Sequence, residues 1–272
     1  MEQLYVLGTG NATVTRCYNT CFAIRHPQGE FFLVDTGGGN GILRILEDMD
    51  MEFGRIHHIF ITHEHTDHLL GIVWLIRVIA TRMKNGQYDG DLNIYCHEDL
   101  PDTITTICRL TVQGKFFKMI GDRIHLIPVR DGETVKILDY PVTFFDIHST
   151  KAKQYGFTTV LSDGQKFTCC GDEPFNPVCT DYVKDSCWLT HEAFCLYSQR
   201  DTFRPYEKHH STVKDACELG ERLGVSNLIL WHTEDKNIAK RQDLYLAEGK
   251  PYFSGRLIVP EDMTVIDLSK NG

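Results

Sequence analysis

Short apolar runs bounded by turn-forming residues recur along the chain and predict β-strands. Two early runs flank the tetrapeptide 26–29, whose Pro27 and Gly29 favour a hairpin turn. A later pair flanks the tetrapeptide 162–165 and predicts a second hairpin. The predicted strands cover residues 4–7, 20–25, 30–34, 59–61, 92–96, 124–129, 134–138, 142–147, 157–161, 166–170, 186–189 and 225–231, with two more within 252–268.

Apolar residues repeat every three or four positions over 42–46 and 212–223, which predicts amphipathic helices there. Residues 69–76 predict a buried helix, residues 102–110 predict another, and a further helical stretch follows Pro177. Ser211 or Thr212 is suited to cap the helix that starts there. Strands that first run in series and then alternate with helices predict two sheets with helices outside them. The fold class expected is therefore α/β, a four-layer αβ/βα sandwich of two mixed β-sheets in a single domain over 1–272.

Composition is that of a soluble globular protein, with 42% hydrophobic and 24% charged residues. A formal charge of -9 argues against indiscriminate binding to nucleic acid. The longest apolar stretch, 69–80, is interrupted by Arg77 and is too short to cross a membrane. We see no signal peptide at the start, so the ten cysteines are expected to be reduced thiols of a cytoplasmic protein.

The hexapeptide His63-Glu64-His65-Thr66-Asp67-His68 directly follows the apolar run 59–61. Imidazole and carboxylate ligands together suit zinc or a similar transition metal. Because Asp67 and His68 are adjacent, their side chains point in different directions. One short loop is therefore expected to supply ligands to two metal ions.

Three later residues of ligand type each follow an apolar strand: His148, Asp172 and His232. Taken singly, a histidine after a strand or an aspartate after glycine is more often a surface or turn residue. A sheet whose strands end at one edge would bring all three to the hexapeptide. Together with that cluster they are predicted metal ligands.

These residues resemble the metallo-β-lactamase fold, whose signature is His-x-His-x-Asp-His, and the match runs in order over nearly the whole chain. Asp35-Thr36-Gly37 is similar to the Asp-x-Gly loop beneath the metal site of that family. Within the fold the chain is most similar to the ribonuclease Z group. Thr190-His191-Glu192-Ala193-Phe194 resembles its His-Glu-Ala-Thr motif with Phe194 in place of threonine, and His210-Ser211-Thr212 resembles its His-Ser-Thr segment.

The chain departs from bacterial ribonuclease Z in one respect. That group carries a long flexible arm that grips tRNA, between the ligands that match His148 and Asp172. Here only residues 149–171 separate the two, and the predicted hairpin occupies their middle. The arm is therefore expected to be missing, a spacing closer to relatives that hydrolyse small phosphodiesters.

The resemblance implies a dinuclear metal-dependent hydrolase in which a hydroxide between the metals attacks phosphorus. Two divalent cations are expected, zinc first, with Mn²⁺ or Fe²⁺ also compatible with these donors. His63, His65 and His148 would bind one cation, Asp67, His68 and His232 the other, and Asp172 would bridge them. Asp67 would also orient or deprotonate the nucleophile.

Two further residues are candidates for the catalytic step. His210 would donate a proton to the leaving oxygen, and Glu192 would hold its imidazole in the required tautomer. The residues expected to bind substrate are Arg200, Arg204, Lys208 and Ser211, although a solvated loop explains the same basic stretch.

The function expected is phosphodiester hydrolysis, with RNA or a small nucleotide as substrate. No membrane partner is expected, and a homodimer is a candidate assembly. Processing of tRNA 3′ ends, hydrolysis of small or cyclic nucleotides, and thioester or lactam hydrolysis on the same metals remain the alternatives.

Overall fold

Fourteen β-strands form the centre of the structure, a computed structural model that describes residues 1–269. They are β1 (Gln3–Gly8), β2 (Cys21–Arg25), β3 (Phe31–Val34), β4 (Ile56–Phe60), β5 (Leu92–His97), β6 (Ile124–Val129), β7 (Thr134–Ile137), β8 (Tyr140–Asp146), β9 (Tyr155–Val160), β10 (Lys166–Cys169), β11 (Trp188–Glu192), β12 (Asn227–Trp231), β13 (Arg256–Ile258) and β14 (Thr264–Asp267).

Helices follow or join these strands. They are α1 (Gly41–Asp48), α2 (Thr66–Leu69), α3 (Gly71–Lys84), α4 (Leu100–Thr111), α5 (Gly114–Phe117), α6 (Thr180–Val183), α7 (Arg200–Phe203), α8 (Val213–Arg222) and α9 (Arg241–Gly249). Within residues 1–269 no helix combines the length and the apolar character needed to cross a bilayer.

The strands make two seven-stranded sheets. The first has the order β14-β1-β2-β3-β4-β5-β6, antiparallel up to β3 and parallel from β3 onward. The second has the order β13-β12-β11-β10-β9-β8-β7, with β10 to β13 parallel and the remaining pairs antiparallel. Both sheets are mixed, as the sequence predicted.

Apolar side chains fill three layers, so four layers of structure stack on one another. Along β2, Cys21 and Ala23 face α1, α3 and α4, whereas Phe22 and Ile24 face the second sheet. This alternation follows from the pleat of a strand, which points successive side chains to opposite faces. The outer face of the second sheet packs on α8 and α9. The predicted αβ/βα sandwich is therefore confirmed.

Several local predictions also agree with the structure, and some do not. The hairpin around residues 162–165 joins β9 and β10, and Thr212 caps α8 in a capping box with Asp215. The predicted helix 69–76 is instead two helices, α2 and α3. The strand predicted at 186–189 extends to Glu192, and α9 was not predicted. Residues 270–272 of the predicted single domain lie outside the described part of the chain.

Candidate active site

The predicted ligands gather where the carboxyl ends of the two sheets meet. The hexapeptide follows β4 in the first sheet, whereas Asp172 and His232 follow β10 and β12 in the second. Three residues just past strand ends adopt left-handed backbone conformations: Asp35 (φ 56°), His148 (φ 57°) and His232 (φ 54°). Such conformations cost of order 1–3 kcal/mol each for non-glycine residues and cluster at functional sites. Here they turn the chain sharply at the sheet edge.

The carboxylate of Asp172 lies at the centre of the site. Its Oδ2 atom is 3.3 Å from His68 Nε2, 3.4 Å from His232 Nε2 and 3.8 Å from His63 Nε2. Asp67 Oδ2 is 3.3 Å from His68 Nε2. One group of possible ligand atoms comes from Asp67, His68, Asp172 and His232, with all four atoms within 4.8 Å of one another.

A second group of ligand atoms comes from His63, His65 and Asp172. His63 Nε2 and His65 Nδ1 lie 2.9 Å apart, which is too close for both nitrogens to carry a proton. Asp172 belongs to both groups, and the division of these ligands between two cations stays a prediction. Six of the seven predicted ligands are thus brought together.

His148 is the seventh predicted ligand, and its imidazole is in neither group. Its side chain is exposed, and its backbone N–H donates to Asp146 Oδ1 at 2.7 Å. Its position and its left-handed backbone nevertheless parallel those of His232. Ligation by His148 therefore stays a prediction, and it requires its side chain to turn inward.

The charges of the site suit a cation. Burial lowers the pKa of His63 well below its ordinary value and that of His232 to about 4, which favours the neutral form of imidazole that binds a metal. Burial opposes ionisation of Asp172, but His63, His68 and His232 together hold its pKa well below the usual range. Burial also opposes a charge on His68, yet Asp35, Asp67 and Asp172 raise its pKa well above normal.

One buried nitrogen provides a direct test of whether a metal fits here. His68 Nε2 is inaccessible to solvent, lies 3.3 Å from both Asp67 Oδ2 and Asp172 Oδ2, and makes no hydrogen bond within residues 1–269. A buried polar atom without a partner is unfavourable, and imidazole nitrogens beside carboxylates are standard zinc ligands. The residues present therefore fit a divalent metal ion.

A second shell of residues orients these ligands. Asp35 Oδ2 accepts a hydrogen bond from His68 Nδ1 at 2.7 Å, and Asp35 Oδ1 accepts one from the Thr62 backbone N–H at 2.8 Å. Gln154 Nε2 donates to Asp172 Oδ1 at 2.7 Å. Outer partners of this kind fix the tautomer and direction of metal ligands. Gln154 is a supporting residue that the sequence pattern did not reveal.

Glu192 and His210 lie at one side of the metal ligands. Glu192 is fully buried, and its Oε2 is 3.6 Å from His210 Nδ1. The His210 ring centroid is 5.3 Å from that of His232, so a group bound at the ligands would also meet His210. The other carboxylate oxygen of Glu192 accepts the backbone N–H of Ser211. The structure therefore places Glu192 beside His210, and the role of Glu192 in setting the tautomer of that imidazole stays a prediction.

A cavity of about 540 Å³ opens over the ligands. Asp67, Asp172 and His232 form its floor, and its walls come from five separate segments of the chain. Lysines supply its basic wall residues: Lys208, which was predicted to bind substrate, and Lys151, which was not. The remaining lining residues are Asn11, Ala12, Thr13, Glu64, His65, Thr66, Phe194 and His210.

The other predicted substrate-binding residues lie elsewhere. Arg200 and Arg204 line a separate cavity of about 400 Å³ with Tyr206 and Glu207. Arg204 pairs with Glu207 at 3.6 Å, and its left-handed backbone (φ 50°) turns the chain away from the ligands. Ser211 is buried behind His210, where it holds Glu192. Position near His210 in the sequence was therefore a poor guide to position near the metal ligands.

Comparison with known proteins places this arrangement in a wider group. The model of the family described as "Anti-Pycsar protein Apyc1" matches residues 2–246. Ribonuclease Z of Azobacteroides pseudotrichonymphae is 24% identical over 96% of this chain and 97% of its own length. Human tRNase Z, short form (ELAC1), superposes with a TM-score of 0.75 at 21% identity, covering 98% of this chain and 99% of that one. A diphosphatase of the PhnP family superposes with a TM-score of 0.71 at 15% identity, covering 99% and 98%.

These matches confirm the predicted metallo-β-lactamase fold and the predicted resemblance to the ribonuclease Z group. The prediction of a metal-dependent hydrolase is borne out at the level of this family. The family whose model covers most of the chain was not foreseen from the sequence.

Proposed function

The chain belongs to the anti-Pycsar protein Apyc1 family, and from this membership we propose that it is a dinuclear metal-dependent phosphodiesterase acting on small nucleotides. The observation that carries the proposal is the placement of Asp172 between two groups of metal-ligand atoms on the floor of a basic-walled cavity. Paired metal sites of this kind are typical of enzymes that hydrolyse phosphate esters.

We propose that His63, His65 and His148 hold one cation, that Asp67, His68 and His232 hold the other, and that Asp172 contributes to both. Nitrogen and carboxylate donors favour Zn²⁺, with Mn²⁺ and Fe²⁺ accepted by the same set. When bound, the cations withdraw charge from the phosphoryl oxygens and increase the acidity of water.

The chain's own residues then handle the protons. Hydrolysis joins a water oxygen to phosphorus and breaks the bond from phosphorus to the leaving oxygen. The Asp67 carboxylate accepts the proton that the attacking water gives up. Because His210 Nδ1 faces Glu192, its Nε2 is the nitrogen left to donate a proton to the leaving oxygen.

Lys151 and Lys208 are proposed to hold the negative charge of the substrate. Both line the cavity, and Lys151 is anchored at 3.7 Å by the buried carboxylate of Glu173. The segment between His148 and Asp172 forms only a short loop and the β9–β10 hairpin, so it provides no long arm for a folded RNA. A bounded cavity without that arm favours a small or cyclic nucleotide over tRNA.

A panel of substrates on metal-verified protein tests the proposal. It contains bis(p-nitrophenyl) phosphate, 2′,3′- and 3′,5′-cyclic nucleotides, a tRNA precursor and a glutathione thioester. We expect hydrolysis of all the small phosphodiesters to be lost on chelation. In His210→Ala we expect loss of cyclic-nucleotide hydrolysis, whereas bis(p-nitrophenyl) phosphate, whose leaving group needs no proton, should still be hydrolysed. Cleavage of the tRNA precursor alone would instead favour 3′ processing, the function named for the ribonuclease Z relatives. Activity confined to the thioester would contradict the proposal.

The homodimer and the cytoplasmic location also remain proposals. Trp74 on α3 and Leu110 on α4 are 40% and 77% exposed, and Trp74 borders a groove that Val73 and Ile107 also line. Burying this apolar surface against a second copy would be favourable. Light scattering should show a dimer that Trp74→Glu converts to a monomer, and a monomeric wild-type protein would contradict this.

The ten cysteines are free thiols, which supports the proposed location in a reducing compartment.

A further inference from the structure

We propose that Phe194 is a positioning residue that holds the imidazole of His210 in the plane required for proton donation. The inference rests on the proposed function of His210. The rings of Phe194 and His210 are nearly parallel, with centroids 5.0 Å apart and an interplanar angle of 6°. Nearly parallel stacking of this kind is a favourable aromatic geometry.

The carboxylate of Glu192 does not fix His210 alone. Its Oε2 is 3.6 Å from His210 Nδ1, beyond hydrogen-bond range, and neither atom has another partner within residues 1–269. A contact at one edge of the imidazole also leaves the His210 ring free to tilt about the line that joins Glu192 Oε2 to His210 Nδ1. The face of Phe194 removes that freedom, because a tilt of the imidazole would separate the stacked rings.

Phe194 is itself held rigidly. Its ring is buried and lies beneath Lys208 Nζ at 4.8 Å. Its backbone N–H donates to Ser211 O at 2.9 Å.

The Phe194 carbonyl is fixed as well. It accepts hydrogen bonds from the Glu234 N–H at 2.8 Å and from the Tyr245 hydroxyl at 3.3 Å. The segment after β11 is therefore locked to the segment that carries His210. A rigid ring beside a less constrained one sets the orientation of the second.

The identity of residue 194 matters because threonine stands there in the motif that this segment resembles. Threonine has no flat face to present to an imidazole. The aromatic side chain thus supplies a constraint on His210 that the resembled motif does not contain. It also brings Lys208 and His210 onto one ring at the cavity wall.

The positioning role predicts an effect that depends on the leaving group. A p-nitrophenolate leaves readily without a proton, whereas the departure of a phenolate depends more strongly on receiving one. Misaligning a general acid should therefore slow the phenyl ester and spare the p-nitrophenyl ester. Loss of a bound metal or of the fold would slow both.

The experiment compares the p-nitrophenyl and phenyl esters of thymidine 5′-phosphate. The variants are Phe194→Leu, Phe194→Thr and Phe194→Tyr, with His210→Ala as reference and Phe203→Leu as matched control. Phe203 touches Phe194, whereas its ring makes no described stack with His210. Metal content is measured for each protein.

We expect Phe194→Leu and Phe194→Thr to lower kcat for the phenyl ester by about 10- to 100-fold, since misplaced catalytic groups lose rate on this scale. The p-nitrophenyl ester should change by less than about threefold, the pattern of a transition-state interaction used by only one substrate. Phe194→Tyr should keep the wild-type ratio, as should Phe203→Leu.

A spectroscopic measurement needs no activity. The stacked Phe194 ring should shift the His210 ring C–H proton resonances upfield, and Phe194→Leu should remove that shift while Phe203→Leu keeps it. If His210→Ala slows both esters equally, the acid role of His210 fails. If His210→Ala separates the esters but Phe194→Leu and Phe194→Thr do not, the proposal for Phe194 is overturned and the proposed function stands.

Discussion

Asp35 Oδ2 lies 2.7 Å from His68 Nδ1, and this contact connects the end of β3 to the metal ligands after β4. His68 donates from Nδ1, so its Nε2 is the atom directed towards Asp67 and Asp172. Both residues are buried, which makes the hydrogen bond stronger than it would be in water. Asp35 is therefore expected to act on the proposed metal site through His68.

Replacing Asp35 with asparagine should weaken metal binding by about 10- to 100-fold, as is usual for an outer partner of a ligating histidine. Asparagine tolerates the left-handed backbone that Asp35 adopts (φ 56°), so the turn should survive. Competition with a chromogenic chelator measures the affinity, and kcat at saturating metal should change little.

Asp262→Asn is the matched control for this variant. Asp262 is another carboxylate that accepts buried hydrogen bonds, from Thr9 Oγ1 at 2.7 Å and from the Tyr18 N–H, away from the ligands. The Asp262→Asn variant should have a lower free energy of unfolding and an unchanged metal affinity. Equal affinities in wild type and Asp35→Asn would show that the Asp35–His68 contact does not tune the site.

Lys151→Ala should raise KM for a small phosphodiester by about 10-fold with kcat unchanged, since it removes binding that is equal in ground and transition states. Steady-state kinetics on protein of verified metal content measures both constants. The basis is the position of Lys151 on the cavity wall.

Lys153→Ala provides the comparison within the same loop. Lys153 pairs with Glu98 rather than lining the cavity, so its KM should equal that of wild type. Arg204→Ala should also leave KM unaltered, because Arg204 lies at the separate cavity. A rise in KM for Arg204→Ala but not for Lys151→Ala would support Arg204 as a substrate-binding residue, as predicted from the sequence, and would exclude that role for Lys151.

Gly171→Ala should destabilise the protein more than Gly164→Ala does. Both glycines have positive φ, 77° and 83°, so alanine adds backbone strain of roughly 1–2 kcal/mol at either position. At Gly171 the new Cβ would also lie 2.5 Å from Gln154 Nε2, whereas at Gly164 it would meet no described atom within 4 Å.

The crowding at Gly171 should displace Gln154 from Asp172, so this variant alone should also bind metal more weakly. Loss of a buried hydrogen bond adds about 1–3 kcal/mol to the strain. Urea unfolding and chelator competition give the two quantities. Equal midpoints and equal metal affinities for the two variants would exclude a supporting role for Gln154.

The parts of the site that the sequence predicted are those encoded locally. His63 to His68 lie on one loop, so their proximity follows from covalent connection. Strand ends at one sheet edge explain why Asp172 and His232 join them, since parallel strands share an orientation. Short apolar runs likewise identified both sheets, because strands such as β2 and β3 bury both of their faces.

The parts that the sequence did not predict depend on contacts between distant segments. Lys151 and Lys208 share a cavity although 57 positions separate them in the numbering, and no pattern along the chain relates them. Arg200 and Arg204 were expected near His210, but the left-handed turns at Arg204 and His209 redirect the chain between them. The exposure of the His148 side chain is likewise not indicated by its place after β8.

The most direct test of the central claim is the metal content of the protein reconstituted with zinc and freed of excess ion, measured by plasma mass spectrometry. The two ligand groups that share Asp172 predict two ions per chain in wild type, one in His65→Ala and almost none in Asp172→Asn. A single ion in wild type, or two ions retained by a folded Asp172→Asn, would contradict the account.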